Sequence, residues 1–166
     1  MDYEIREASF DDIDKCMELA SFACKLMVSR NNPQWLNGYP TVEILEDDVL
    51  NHQLYVAFDK DELVAMAAIQ EKKDEIYEEY DFWTKGPYIS VHRVASRRSG
   101  LGRYFLNMAI DKAKKIGANV RIDTHIKNLH MQALIESLGF VAVGETDYGY
   151  IDNTLAKTYE LVLINQ

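Results

Sequence analysis

The residues best suited to chemistry lie in YISVHRVASRRSGLGRYFLNMA, positions 88–109. A β-branched run leads into a turn holding Gly100 and Gly102, and the turn opens into an amphipathic stretch. Glycines there let backbone N–H groups face outward with no Cβ in the way. A helix start adds unpaired N–H donors and partial positive charge, so the combination suits an anion, most naturally a phosphate or diphosphate. The local charge agrees: residues 93–103 carry Arg93, Arg97, Arg98 and Arg103 and no acid, in a chain of net charge −9. The glycine spacing is neither GxxxxGK[ST] nor GxGxxG, which excludes the two commonest nucleotide loops. What remains is Arg97-x-x-Gly100-x-Gly102.

The elements that must hold this turn follow from period and punctuation. Residues 3–7 read as a strand. Ser9 or Asp11 caps a helix whose inward face is Ile13, Cys16, Met17, Ala20, Cys24 and Met27, broken by Asn31-Asn32-Pro33. PQWLNGYP at 33–40 is an aromatic loop, and Thr41 caps a second helix to about Leu50. Leu54–Phe58 and Leu63–Ile69 form a hairpin across a polar turn. Residues 71–83 are highly charged with interleaved aromatics and read as a short helix or excursion, its acids a solvated face. Tyr88–Ala95 is a strand. Leu101, Phe105, Met108, Ala109, Ala113 and Ile116 line one helix face, stopped by Gly117. A strand at 119–124, a helix at 128–138 and strands at 140–143 and 157–164 complete the chain. This order predicts an α/β fold: a mixed, mostly antiparallel sheet of about seven strands with helices on both faces.

Two blocks in this order resemble a known family. R/Q-x-x-G-x-G/A between a strand and a helix resembles the acetyl-coenzyme A motif of the GNAT (GCN5-related) N-acetyltransferases. NLHMQALIESLGF at 128–140 resembles the family's downstream signature, an Asn, a helix and Leu-Gly-Phe, with Asn128 and Gly139 eleven positions apart. QWLNGYP, HRVAS and RIDTH are similar to a bacterial branch of the same superfamily. The resemblance spans essentially the whole chain. It implies acetyl-CoA as co-substrate and direct attack by an amine, of a small molecule or a protein, with no covalent enzyme intermediate. It also implies that Val94 and Ala95 offer backbone groups to the pantetheine arm. Arg97, Arg98, Ser99, Gly100, Leu101, Gly102 and Arg103 would wrap the diphosphate. Asn128 would contact the pantetheine region and Met131 would pack beside the coenzyme, with the thioester between the splayed strands at 88–95 and 119–124. Two departures stand out. The connection from Ala95 to Arg97 is shorter than usual and lacks its Pro. Ile135 occupies the place where many members have a Tyr that protonates the departing thiolate.

Acetyl transfer to an amine requires a proton acceptor, polarisation of the thioester and relief of charge on the thiolate. Positioning supplies much of the rate, so no nucleophile is needed. His92 is the first choice for the base, because an imidazole's ordinary pKa near 6.5 suits proton removal near neutrality. Asp123 and His125 in RIDTH are further candidates. Either can act through a water, or Asp123 can pair with Arg121, Arg93 or the substrate amine. Tyr148 and Tyr150 line the acceptor pocket or donate a proton; Trp35 and Tyr39 cover that pocket or plug the edge of the core. No metal site is expected, since no HExxH or cysteine set exists.

At 166 residues the chain fits one domain over 1–166, with 48% hydrophobic and 27% charged residues, ordinary for a globular protein. An acidic surface repels phosphate backbones, so nucleic acid is not an expected partner. Neither a membrane span nor a signal peptide is visible. Cys16 and Cys24 stand eight positions apart on one predicted helix, about 12 Å along its axis and beyond disulfide reach. They read as buried thiols of a reducing compartment, hence cytoplasm. A homodimer through a sheet edge is open. Two alternatives to catalysis remain: a non-catalytic acyl-CoA-binding sensor or interaction module, which Ile135 would suit, and a phosphate-binding protein unrelated to acyl transfer.

Overall fold

The computed structural model describes residues 2–164. Its strands are β1 (Glu4–Glu7), β2 (Leu54–Asp59), β3 (Glu62–Gln70), β4 (Tyr88–Ser96), β5 (Asn119–His125), β6 (Val141–Thr146) and β7 (Ala156–Leu161). They form one sheet in the order β1-β2-β3-β4-β5-β7-β6. Every pairing is antiparallel except β4 with β5. The helices are α1 (Ile13–Ser29), α2 (Val42–Leu50), α3 (Leu101–Ile116) and α4 (Leu129–Ser137).

Alternation along the strands divides the core between two faces. Leu54, Val56, Phe58 and Met66 pack under α1 and α2 with Ile13, Cys16, Leu19 and Leu45. Ala57, Val64 and Ala67 meet Leu101 and Phe105 of α3. Ile89, Val91, Val120 and Ile122 pack with Leu106 and Ala109 of α3 and with Ile135 of α4. The expected mixed sheet, with helices on both faces, is the observed one. Ile116 departs from the expected inward face and is 52% exposed. By angle it continues the Phe105–Ala109 stripe, but it is the last residue of α3 and nothing covers it.

The excursion between β3 and β4 is the larger correction. Its only regular element is a short 3-10 turn, Tyr77–Glu79. It is not simply a solvated face. Asp74 turns inward and accepts the N–H groups of Ile76 (3.0 Å) and Tyr77 (3.1 Å). Tyr77 is completely buried, and Trp83 Nε1 donates to its carbonyl at 2.9 Å. No helix among the described residues is long and apolar enough to cross a membrane.

Candidate active site

The sheet splits at its centre. β4 and β5 pair only over Tyr88–Val91 and Asn119–Ile122. Beyond Val91, β4 stays with β3, and beyond Ile122, β5 stays with β7. A β-bulge marks the split: His92 faces Ala68 and Ala95 faces Met66, so Arg93 and Val94 together oppose Ala67. Arg93 has φ +56°, a left-handed conformation that costs a non-glycine residue about 1 kcal/mol or more. Its side chain supplies the compensation. Nε and Nη2 donate to the two Asp48 oxygens at 2.6 Å each, and Nη1 donates to Tyr39 at 2.8 Å. Arg93 therefore braces the bulge against α2 and does not join the basic turn, as its place in the sequence had suggested.

Into the wedge comes Gln34 of the aromatic loop. Its Oε1 accepts from Thr124 Oγ1 (3.2 Å), from the His125 N–H (3.3 Å) and from Asn128 Nδ2 (3.0 Å). Two cavities flank this wedge, a groove of about 800 Å3 and a chamber of about 110 Å3. They share Met27, Val94, Asn128 and Met131 as walls, so the two adjoin.

Val94, Ala95, Arg97, Arg98, Ser99, Gly100, Gly102, Arg103, Asn128 and Met131 all line the groove. Leu101 does not: its side chain is buried against the sheet, so it can offer a ligand only its backbone. Gly100 caps α3 at φ +88°, where a side chain would be strained. The first helical hydrogen bond runs from the Tyr104 N–H to the Gly100 carbonyl at 3.0 Å. The N–H groups of Leu101, Gly102 and Arg103 thus have no helical acceptor, and no acid stands in that first turn. Arg98 is paired with Glu62 at 2.7 Å. Arg97 lies over the Phe22 ring at 4.4 Å, and Arg103 Nη2 donates to Ser137 at 2.9 Å. Neither has a carboxylate partner among the described residues, so both can face an anion. Asn128 also caps α4, accepting the Met131 N–H at 3.2 Å. Ile135 is fully buried in the core.

The chamber is built from side chains of distant segments. Trp35, Tyr39, Tyr148 and Tyr150 all line it, with His92, Arg93 and Asp123. Trp35 also packs in the core beneath α1 and α2. Asp123 accepts hydrogen bonds from Tyr77 and, at 2.8 Å, from Tyr148. Its expected arginine partners are elsewhere: Arg121 pairs with Glu160 and Arg93 with Asp48. Burial raises the Asp123 pKa against the opposing effects of His92 and the two phenols. Tyr148 and Tyr150 are pushed well above the usual phenol range, first by burial and then by the charge of Asp123. Both phenols therefore keep their protons, and Tyr148 donates its own to Asp123.

His92 Nε2 lies 2.7 Å from Asp74 Oδ2, a close contact whose approach is off the line of a good hydrogen bond. Burial would raise the Asp74 pKa, but His92 and the N–H groups of Tyr77 and Ile76 bring it below the usual value. His125 lies outside both cavities and is completely buried. Its Nδ1 accepts the Lys127 N–H at 3.0 Å, and Nε2 contacts Asp152 at 3.1 Å and Thr154 at 2.9 Å. It anchors the loop before β7 and has no path to a substrate. Sequence reasoning misses Asp74, Tyr77 and Gln34. Interleaved aromatics at 77–83 are the one signal that this segment folds inward.

The comparisons with known proteins bear on this geometry. Residues 21–140 match the family model described as the acetyltransferase (GNAT) family. The chain belongs to the GNAT acetyltransferase family. The matched span contains the split strand, the Arg97–Gly102 turn and the Asn128 signature. A GNAT acetyltransferase from Streptococcus agalactiae is 27% identical, with 98% of this chain and 96% of that one covered and a TM-score of 0.80. A protein proposed to be an acetyltransferase, from Staphylococcus aureus, is 25% identical over 94% and 96% of the two chains, with a TM-score of 0.71. The PaiA N-acetyltransferase of Thermoplasma acidophilum, in complex with coenzyme A, is 17% identical and shares the fold, covering 98% and 100% at a TM-score of 0.72. A search of curated proteins finds no match. Position 135, within the matched span, is the buried Ile135.

Proposed function

We propose that this acetyltransferase takes acetyl-CoA along the groove and transfers the acetyl group to an amine held in the chamber. The observation that carries this reading is the junction at Val94. An anion-binding helix start with free amides runs into a chamber holding an imidazole and a carboxylate without a cation. The groove's chemistry fits the coenzyme: the amides of Leu101, Gly102 and Arg103, with Arg97 and Arg103, suit a diphosphate, and the walls at Val94, Ala95 and Met131 suit a pantetheine arm. The coenzyme supplies an acetyl group activated as a thioester.

The residues then divide the work. Asp123 attracts the ammonium form of the acceptor and orients it. The ammonium first releases one proton to water, and His92, steadied by Asp74, takes the second as the free amine attacks. The N–C bond forms as the C–S bond breaks, and coenzyme A leaves as the thiolate. Ile135 cannot protonate it. The Tyr150 hydroxyl has no protein partner among the described residues, so it can stabilise that charge by a hydrogen bond. A coenzyme-binding sensor is the second reading, and the buried Ile135 is the observation that favours it. Release of free coenzyme A over an amine panel separates the two. His92→Ala should lower kcat about 100-fold, the low end for loss of a general base, with coenzyme affinity by calorimetry unchanged. Tight coenzyme binding without turnover on any amine would favour the sensor.

A further inference from the structure

The chamber constrains its acceptor beyond the presence of an amine, a constraint that rests on the acyl-transfer reading. Its charged lining consists of His92, Arg93 and Asp123. Arg93 is neutralised: its side chain is 8% exposed and both Asp48 oxygens are bound to it. His92 faces Asp74 at 2.7 Å, so any charge on the imidazole is already matched. Asp123 alone has no cation within ion-pair distance among the described residues. Its hydrogen bonds come from two neutral phenols, Tyr77 and Tyr148.

Carboxylates drawn into a protein interior are paired, because an uncompensated charge there is costly. The missing partner of Asp123 is thus a cation brought by the ligand. The same inventory says what the ligand lacks. No free cation faces the chamber among the described residues, so a carboxylate or phosphate on the acceptor would enter unpaired and meet Asp123 as a like charge. The remaining walls carry no charge: beside the neutral polar Gln34, Asn37, Thr124 and Asn128 and several aliphatic side chains stand four aromatic residues, Trp35, Tyr39, Tyr148 and Tyr150, which take an apolar body and attract an ammonium to the ring faces. The volume is small. An engineered apolar cavity of about 150 Å3 accepts benzene, and this chamber is about 110 Å3.

We infer that the acceptor is a compact primary amine with a small apolar body and no acidic group. Free amino acids are excluded by their carboxylates.

The test uses matched pairs that differ by one carboxylate: ethylamine with alanine, propylamine with 2-aminobutyrate, and isobutylamine with valine. Each is assayed for coenzyme A release from acetyl-CoA, and its binding to the coenzyme-loaded enzyme is measured by calorimetry. The amine of each pair is expected to exceed its amino acid at least 100-fold in kcat/KM and to bind where the amino acid does not. Asp123→Asn should reduce kcat/KM for the amines at least 10-fold and narrow the ratio within each pair. The conservative Asp123→Glu should restore part of the preference. Equal or better use of the amino acids, or of a short peptide amino terminus, overturns this acceptor class and leaves acyl transfer standing. Coenzyme binding without turnover on any acceptor overturns acyl transfer, and the acceptor class with it.

Discussion

The groove and the chamber meet at Val94, yet they are built in opposite ways. The groove's anion-binding end is one contiguous turn, Arg97–Arg103, set between walls from α1 and α4, and it offers backbone amides and the guanidiniums of Arg97 and Arg103. The chamber draws side chains from the aromatic loop, the bulge of β4, the end of β5, the excursion before β4 and the loop before β7. In the groove, Arg97 and Arg103 have no carboxylate partner among the described residues and can meet a ligand; in the chamber, Arg93 is matched by Asp48 and His92 faces Asp74, which leaves Asp123. A surface that grips a common coenzyme can be local and repetitive across relatives, whereas one that selects an acceptor is assembled by the whole fold and changes with it.

That contrast can be broken at its strongest point first. Asp48 is 1% exposed and holds Arg93, so Asp48→Ala leaves a buried guanidinium unpaired. The expected cost is about 3–5 kcal/mol of stability by denaturant unfolding. A change below about 1 kcal/mol would mean that the bulge needs no brace. For the groove, Gly102→Asp should weaken coenzyme A at least 100-fold by calorimetry with no loss of thermal stability. The new Cβ would meet only Leu134 at 3.4 Å and Val94 at 3.8 Å, and an acid in a helix's first turn is itself favourable. A folded variant with wild-type affinity would remove the turn from the site.

The chamber gives two smaller effects. Burial raises the Asp123 pKa from its ordinary 3.8, and the groups facing it are His92, Asp74, Tyr77 and Tyr148. Amine affinity should therefore climb as pH rises through that raised value, when the carboxyl ionises. The linked stability runs the other way, because the folded chain holds this proton more tightly than the unfolded one and loses the advantage over the same interval. Asp123→Asn should flatten both limbs in calorimetry and unfolding from pH 4 to 7. Smallest, Tyr148→Phe removes one of the two phenols on Asp123. It should raise KM for the amine a few-fold, in line with about 1 kcal/mol for one hydrogen bond, and leave coenzyme affinity unchanged.

Legibility in the sequence follows the same division. Gly100, Gly102, Arg97 and Arg103 announce themselves because their function depends on neighbours two or three positions away. The strands and helices are readable because alternation and helical period are also local. Asp74, Tyr77 and Gln34 are not, because each acts on a partner distant in the chain or in a segment with no regular period: Tyr77 on Asp123, Gln34 on Thr124 and Asn128. Arg93 misleads for a related reason. Sequence proximity puts it with the basic turn, but the bulge swings its side chain to α2. His125 shares a strand with Asp123, yet two residues along β5 carry it past the split and into the core.

A crystal structure with acetyl-CoA bound tests the account most directly. The diphosphate should lie within hydrogen-bond distance of the Leu101, Gly102 and Arg103 amides, with the acetyl carbon at the Val94 junction, open to His92 and Asp123. A diphosphate seated away from that helix start, or an acetyl group pointing out of the chamber, would contradict it.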